Sequence, residues 1–229
     1  MLRLEGLRVE QGSFAIGAHW PEQAPGIIAL IGPSGAGKST LISAIGGFLP
    51  ATAGRILWNG QDITGLAPGQ RPTATLFQDN NLFPHLTIAQ NIALALRRRG
   101  MSTADQKARI AEGLAQVDLA GLGDRKPAQL SGGQQSRAAL ARVLLQDRPV
   151  VLLDEPFAAL GPALKAEMLD LVKRVLSDRL VLMITHDPQD AARIADRVSV
   201  VADGEATSPE PTQGILQNPP DSLRAYLGQ

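Results

Sequence analysis

The run Gly32-Pro33-Ser34-Gly35-Ala36-Gly37-Lys38-Ser39, followed by Thr40, constrains this chain more than any other feature. It fits the spacing G-x-x-x-x-G-K-[ST]. Just before it, Gly26 to Ile31 (GIIALI) is short and continuously apolar, the pattern of a strand covered on both faces. Just after it, Ser39 to Phe48 carries apolar residues at a helical period. Strand, glycine-rich turn and helix in this order make successive backbone N–H groups converge on phosphate oxygens at the positive end of a helix dipole. In such a cradle Lys38 reaches the β- and γ-phosphates, and Ser39 offers its hydroxyl to Mg²⁺. A glycine-rich turn with a merely solvated lysine would leave this flanking pattern without a purpose.

A second segment supplies the complementary charge. Val150 to Glu155 (VVLLDE) is an apolar strand that ends in two carboxylates. Asp154 falls at the C-terminal edge, where α/β sheets bind their ligands, and is expected to hold the metal. Glu155, one residue on, points elsewhere and is placed to activate a water for in-line attack on a γ-phosphate. Taken alone, an Asp-Glu pair after a strand is more often the start of a solvated loop; the phosphate cradle reverses that preference.

The rest of the chain reads as an α/β domain. Met1 to Glu10 alternates apolar and charged residues, as a half-buried antiparallel strand does. Ile56, Leu57 and Trp58 meet the hairpin signal Asn59-Gly60, and Thr73 to Gln78 (TATLFQ) reads as another strand. Helix formers dominate from about Thr87 to Leu122, punctuated by Gly100 and Ser102. Leu160 to Ser177 has helical spacing, Leu180 to Thr185 and Arg197 to Val201 are strands, and the tail from Pro209 holds a loop and a helix. Strands joined by helices imply a mostly parallel sheet. The expected division is a core of about 1–84 and 147–229, with an inserted helical subdomain over about 85–146.

Composition narrows the functional classes. With 22 basic and 22 acidic residues the net charge is +0, so no global field draws the chain to nucleic acid. Cysteine is absent, which excludes disulfides, thiolate metal sites and cysteine nucleophiles. Aromatic residues make up 3%, too few for a base-stacking platform. The N-terminal MLRLEGLRVE lacks the apolar core of a signal peptide, and no apolar run approaches the roughly 18 residues of a membrane span. A cytosolic chain is the expectation.

Leu130-Ser131-Gly132-Gly133-Gln134 opens an apolar-periodic helix, with Ser131 as its cap. A second anion-binding helix start calls for a second use. LSGGQ resembles the signature of the ABC ATPases, and the resemblance extends over essentially the whole chain with the motifs in the family's order. It implies a P-loop NTPase core with an N-terminal antiparallel β subdomain and an inserted helical subdomain. It also implies ATP as the ligand and Mg²⁺ held by Ser39, Asp154 and Gln78, the last being the Q-loop glutamine that senses both the γ-phosphate and the metal at the edge of the helical subdomain. His186, in ITHD, corresponds to the switch histidine at the γ-phosphate. The resemblance further implies a head-to-tail dimer in which Ser131, Gly132, Gly133 and Gln134 of one copy meet the ATP held by Lys38 of the other. Two positions depart from the family. Gly161 stands where an aspartate is usual, and Gln11 falls where an adenine-stacking aromatic is usual, with Phe14 a few residues later.

FQDNNLFPHLTIAQNI resembles the importer type. Leu82 and Phe83 are apolar residues in a polar loop, either packed inside the helical subdomain or shaping a groove for a short helix of a membrane permease. Among importers the resemblance is to the ATP-binding subunit of bacterial thiamine importers, in IGPSGAGKSTLISAIGGFLPATAG, DEPFAALGPAL and DAARIADRVSVVADG. Iron, sulfate and polyamine importers share part of it. Implied partners are integral permease subunits and, through them, a periplasmic substrate-binding protein. The implied location is the cytoplasmic face of the inner membrane, as a peripheral subunit. Two other classes compete: a soluble ABC ATPase acting on DNA or ribosomes, and a small-molecule P-loop kinase, which would leave LSGGQ, Gln78 and His186 idle.

Overall fold

The computed structural model describes residues 1–96, 101–221, 223 and 224. Strands β1 (Leu2–Gln11) and β2 (Phe14–Gln23) pair antiparallel, and Gln11 faces Phe14 across the turn. Strand β3 (Gly26–Ile31) leads through the glycine turn into α1 (Lys38–Gly46). Strands β4 (Ala53–Trp58) and β5 (Gln61–Asp62) close on Asn59 (φ 49°) and Gly60 (φ 78°), the left-handed pair a tight hairpin needs. After β6 (Thr73–Leu76) come α2 (Ile88–Ala93), α3 (Thr103–Gln116) and α4 (Gly132–Leu145), with no strand among the described residues between them. The chain continues as β7 (Val150–Asp154), α5 (Pro162–Val175), β8 (Leu180–Ile184), α6 (Pro188–Ile194), β9 (Arg197–Ala202), β10 (Glu205–Ala206), β11 (Glu210–Pro211) and α7 (Thr212–Gln217).

All the strands form one mixed sheet in the order β5-β4-β1-β2-β10-β9-β3-β8-β7-β6, with β11 on β9. From β9 to β6 the strands run parallel. Their register decides where the loops emerge: Leu30 pairs with Ile184, Ile184 with Asp154, and Leu153 with Leu76. The segments that follow β3, β6, β7 and β8 therefore leave from a single edge, which brings distant motifs together.

The continuous apolar runs are buried on both faces, as their composition demands. Val151, Leu153, Val181 and Met183 pack toward the helices α2 to α5. Val150, Leu152, Leu182 and Ile184 pack on the other side with α1 and with Trp20, Leu4 and Ile56 of the antiparallel strands. The helical run expected from Thr87 to Leu122 is divided between α2 and α3; Gly100 lies outside the described residues. The strand expected over Thr73 to Gln78 stops at Leu76, and the helix expected from Leu160 begins at Pro162, which suits a first helical position. Strand β2 carries no clean sequence signal, because Gly17 and Pro21 interrupt its inward set of Ile16, Ala18 and Trp20.

One buried cation ties α1 to the sheet region. Arg71 is 2% exposed. Its Nη1 donates to the carbonyls of Ala44 (2.7 Å) and Ile45 (2.9 Å), in the last turn of α1, and its Nε to Leu66 O at 2.8 Å. Its Nη2 reaches Thr64 O. Burial pushes the guanidinium pKa down and nearby Asp62 opposes this, but the carbonyls at the negative end of the helix hold the charge in place. Gly47 closes the helix at φ 82°, and a Cβ there would lie 2.6 Å from Arg71 Nε. Replacing Arg71 with Met removes the guanidinium donors from the carbonyls of Ile45, Thr64 and Leu66, while Ala44 O keeps the N–H of Gly47. It should lower stability by about 3 kcal/mol or more in denaturant melts, and Arg71→Lys should recover only part of the loss, since an ammonium lacks the planar fork.

Candidate functional site

The phosphate loop has the backbone its glycines allow. Gly35 (φ 77°) and Gly37 (φ 104°) are left-handed, and Gly37 caps α1 without a side-chain bond, leaving the first N–H groups of the helix directed outward. A Cβ on Gly37 would sit 2.7 Å from Phe14 Cζ, so the aromatic ring lies directly against the loop. Lys38 is buried, and its Nζ donates to Gly32 O and Pro33 O, each at 2.8 Å. Burial lowers its pKa, while Glu155 and Asp154 work in the opposite direction. Ser39 Oγ donates to Asp154 Oδ1 at 3.0 Å, so the sequence-distant hydroxyl and carboxylate adjoin.

Glu155 leaves the strand in a left-handed conformation, φ 46°. Such a backbone is uncommon for a non-glycine residue and concentrates at functional sites. Glu155 Oε1 meets Nε2 of His186, which stands two residues beyond β8. The structure thus gathers Ser34, Gly35, Lys38, Ser39, Glu155 and His186 around one cleft of about 440 Å³, with Gln11 and Phe14 on its rim.

Two groups of expected site residues lie elsewhere. Gln78 is exposed, two residues past the end of β6, and does not line this cleft. Ser131 caps α4: its Oγ accepts from Gln134 N at 3.3 Å, and Gln134 Oε1 accepts from Ser131 N at 3.0 Å, a reciprocal box. Ser131 and Gly132 are exposed, whereas Gly133 is packed so that a Cβ would lie 2.6 Å from Leu164 Cδ2. None of Ser131, Gly132, Gly133 and Gln134 lines the cleft of their own chain. Gly161, at the cap of α5, has φ −64° and no atom within 4 Å of a Cβ built on it.

The apolar pair after Gln78 divides. Leu82 packs on the helical core, whereas Phe83 is 46% exposed, edge-on to His85. Fully buried Asn91 fixes that loop: its Oδ1 accepts from Phe83 N at 2.7 Å, and its Nδ2 donates to Phe83 O, Leu86 O and Thr87 O. Sequence reading also overlooked Lys165, Asp187, Asp190 and Thr185, which surround the base of His186. The only trace in the sequence is the spacing of Asp187 and Asp190 at a helix start; the cation between them is 22 residues away.

Burial raises the pKa of Asp154; Glu155 adds to the rise, and the bonds and charges of Ser39, Lys38 and His186 oppose it. A carboxyl whose pKa is raised by folding contributes stability at low pH and loses it as the pH climbs through the folded value. Asp154→Asn should therefore melt higher than the parent at pH 7, with the gap closing as the pH falls to the range where Asp154 is protonated. Calorimetric melts across that range check it.

Residues 22–158 match the family described as ABC transporter. The chain is 57% identical to "Thiamine import ATP-binding protein ThiQ" of Ruegeria sp. (strain TM1040) and 56% identical to the protein of that name from Cereibacter sphaeroides, covering 100% of both chains in each case. Among solved structures it resembles the dimeric post-hydrolysis state of the ATP-binding cassette MJ0796 bound to ADP and Pi. That match has a TM-score of 0.79 and 29% identity, covering 93% of this chain and 99% of the other. These findings set aside the small-molecule kinase. With its phosphate loop, its paired carboxylates and its matching cassette fold, the chain belongs to the ABC transporter family.

Proposed function

We propose that this chain is the ATP-binding and ATP-hydrolysing subunit of a membrane importer for thiamine. The observation that carries the ATPase reading is the convergence of Lys38, Asp154, Glu155 and His186 at one sheet edge. The thiamine assignment draws on the name of relatives that match from end to end. Nothing in the cleft recognises a vitamin; that selection belongs to permease and binding-protein partners. Within the chain, about 1–84 and 147–229 form the nucleotide-binding core, and about 85–146 form the helical subdomain with the signature. The protein acts peripherally at the cytoplasmic face of the inner membrane; among the described residues no helix is long and apolar enough to cross it.

Gly32 and Pro33 shape the turn, Ser34, Gly35, Ala36 and Gly37 wrap the phosphates with backbone N–H groups, and Lys38 and the start of α1 add positive charge at Ser39 and Thr40. The adjoining Ser39 hydroxyl and Asp154 carboxylate are hard oxygen donors, and no group of three or more acidic or histidine ligands occurs among the described residues. That set suits Mg²⁺, which binds few protein oxygens and relies on substrate phosphates for the rest. Ser39 and Asp154 would hold it, and it would supply charge that neutralises the triphosphate; Gln78, expected as a third ligand, does not line this cleft. Glu155 takes the proton of the attacking water. His186, held against Glu155, contacts the γ-phosphate and keeps that carboxylate aimed.

The signature, Ser131 to Gln134, with Ser131 and Gly132 exposed, does not line its own cleft and serves the cleft of a second copy. The relatedness to a cassette solved as a dimer supports this arrangement. Phe83, standing out from a loop that Asn91 locks, is the chain's contact for a cytoplasmic helix of the permease. Phe14 offers the base its ring in place of the missing aromatic at Gln11.

Glu155→Gln should retain ATP binding, lower phosphate release by about 10²- to 10⁴-fold and trap an ATP-bound dimer visible by light scattering. Parent-like turnover would remove Glu155 as base. For the cargo, a thiamine-requiring strain lacking this chain should lose uptake of labelled thiamine and regain it with the parent, not with Glu155→Gln. Phe14→Ala should weaken ATP binding about ten-fold by calorimetry, while inorganic triphosphate binds as before.

A further inference from the structure

The inference rests on the ATPase reading and concerns a residue outside the cleft. Lys165 lies on α5, the helix that begins where the loop after Glu155 ends. Its Nζ is 2.9 Å from Asp187 Oδ2 and 2.9 Å from Asp190 Oδ1. Asp187 directly follows His186 and caps α6, its side chain accepting from Gln189 N at 2.9 Å. Asp190 is buried and accepts from Thr185 Oγ1, on the residue that precedes His186. Thr185 Oγ1 accepts in turn from Asp187 N at 3.1 Å. Both chain neighbours of His186 are thus bound into one cluster with Lys165 as its only cation among the described residues. The cluster lines a cavity of about 240 Å³ that Glu155 and His186 also line.

His186 is exposed and lies between β8 and α6, so the backbone that carries it is held by what grips Thr185 and Asp187, while its ring meets Glu155. Without the ammonium, the buried carboxylate of Asp190 and the half-exposed one of Asp187 would face each other uncompensated, and the resulting repulsion would shift the segment from Thr185 to Asp190. A displacement of this scale at a loop that aims a reacting group lowers rate rather than binding.

We propose that Lys165 is a positioning residue for hydrolysis: by clamping Asp187 and Asp190 it holds the His186 loop so that the imidazole meets Glu155. Because the same helix continues from the loop after Glu155, the clamp fixes both members of the pair relative to one another.

The test combines kinetics with the histidine ring itself. The chain has three histidines, His19, His85 and His186, so their ring resonances can be assigned by substitution. Lys165→Met should lower kcat about ten-fold with KM for ATP unchanged, and should shift or broaden the His186 resonance while His19 and His85 stay put. Lys165→Arg, which can bridge both carboxylates, should restore kcat and the resonance. Thr185→Val removes the second tie and should reproduce the kcat loss should Lys165→Met not fold. Parent-like kcat in a folded Lys165→Met or Thr185→Val would overturn the proposal, as would a loss of kcat with the His186 resonance unmoved. The ring signal needs no turnover, so a parent protein that releases no phosphate would sink the ATPase reading while the clamp is still judged by the spectrum.

Discussion

Opposite charges held partly out of water govern this structure. Burial acts against the charged form of Lys38 and of Asp154, and each is stabilised by the other and by polar contacts nearby. Neither would settle there on its own; the sheet edge places them. Parallel strands in close register send the phosphate loop, Asp154, Glu155 and the His186 segment out on one side, and the apolar runs behind them are sealed on both faces. Arg71 extends the same logic, since it buries a cation to fix the far end of α1, whose near end is the phosphate cradle. A triphosphate with its metal would add charges of both signs to an edge already arranged around them.

What the sequence made legible was local. The phosphate loop, the strand ending at Asp154 and the Asn59-Gly60 hairpin each sit within a few consecutive residues whose chemistry decides their geometry. The parallel core followed from apolar runs too continuous for a one-faced sheet. Less legible were features completed by distant partners. Strand β2 depends on pairing with β1, not on its own broken alternation, and Arg71 looks like any surface arginine until Ala44 and Thr64 are brought to it. The cluster under His186 joins α5 to the start of α6 and leaves almost no trace along the chain. Leu82 and Phe83 looked alike by composition, yet one turned inward and the other outward, a choice made by the fold of the loop.

The glycines separate into those that packing demands and those it merely permits. At Gly37 and Gly133 an added methyl would strike Phe14 or Leu164. At Gly161 the backbone is ordinary and the space open, so an aspartate would fit and would even cap α5. Steric need therefore does not explain the departure at this position. Its effect falls on whatever faces that surface, and the missing carboxylate leaves the start of α5 less negative than an aspartate would make it.

The loop bearing Phe83 has a kinetic implication. Its carbonyls and amide are fastened by a single buried amide side chain, so the ring stands on an already rigid base. A surface frozen before encounter loses little conformational entropy when another molecule settles on it. Recognition through this knob would then be quick to form and would discriminate by shape, with lifetime governed by how well the receiving groove fits one benzyl group.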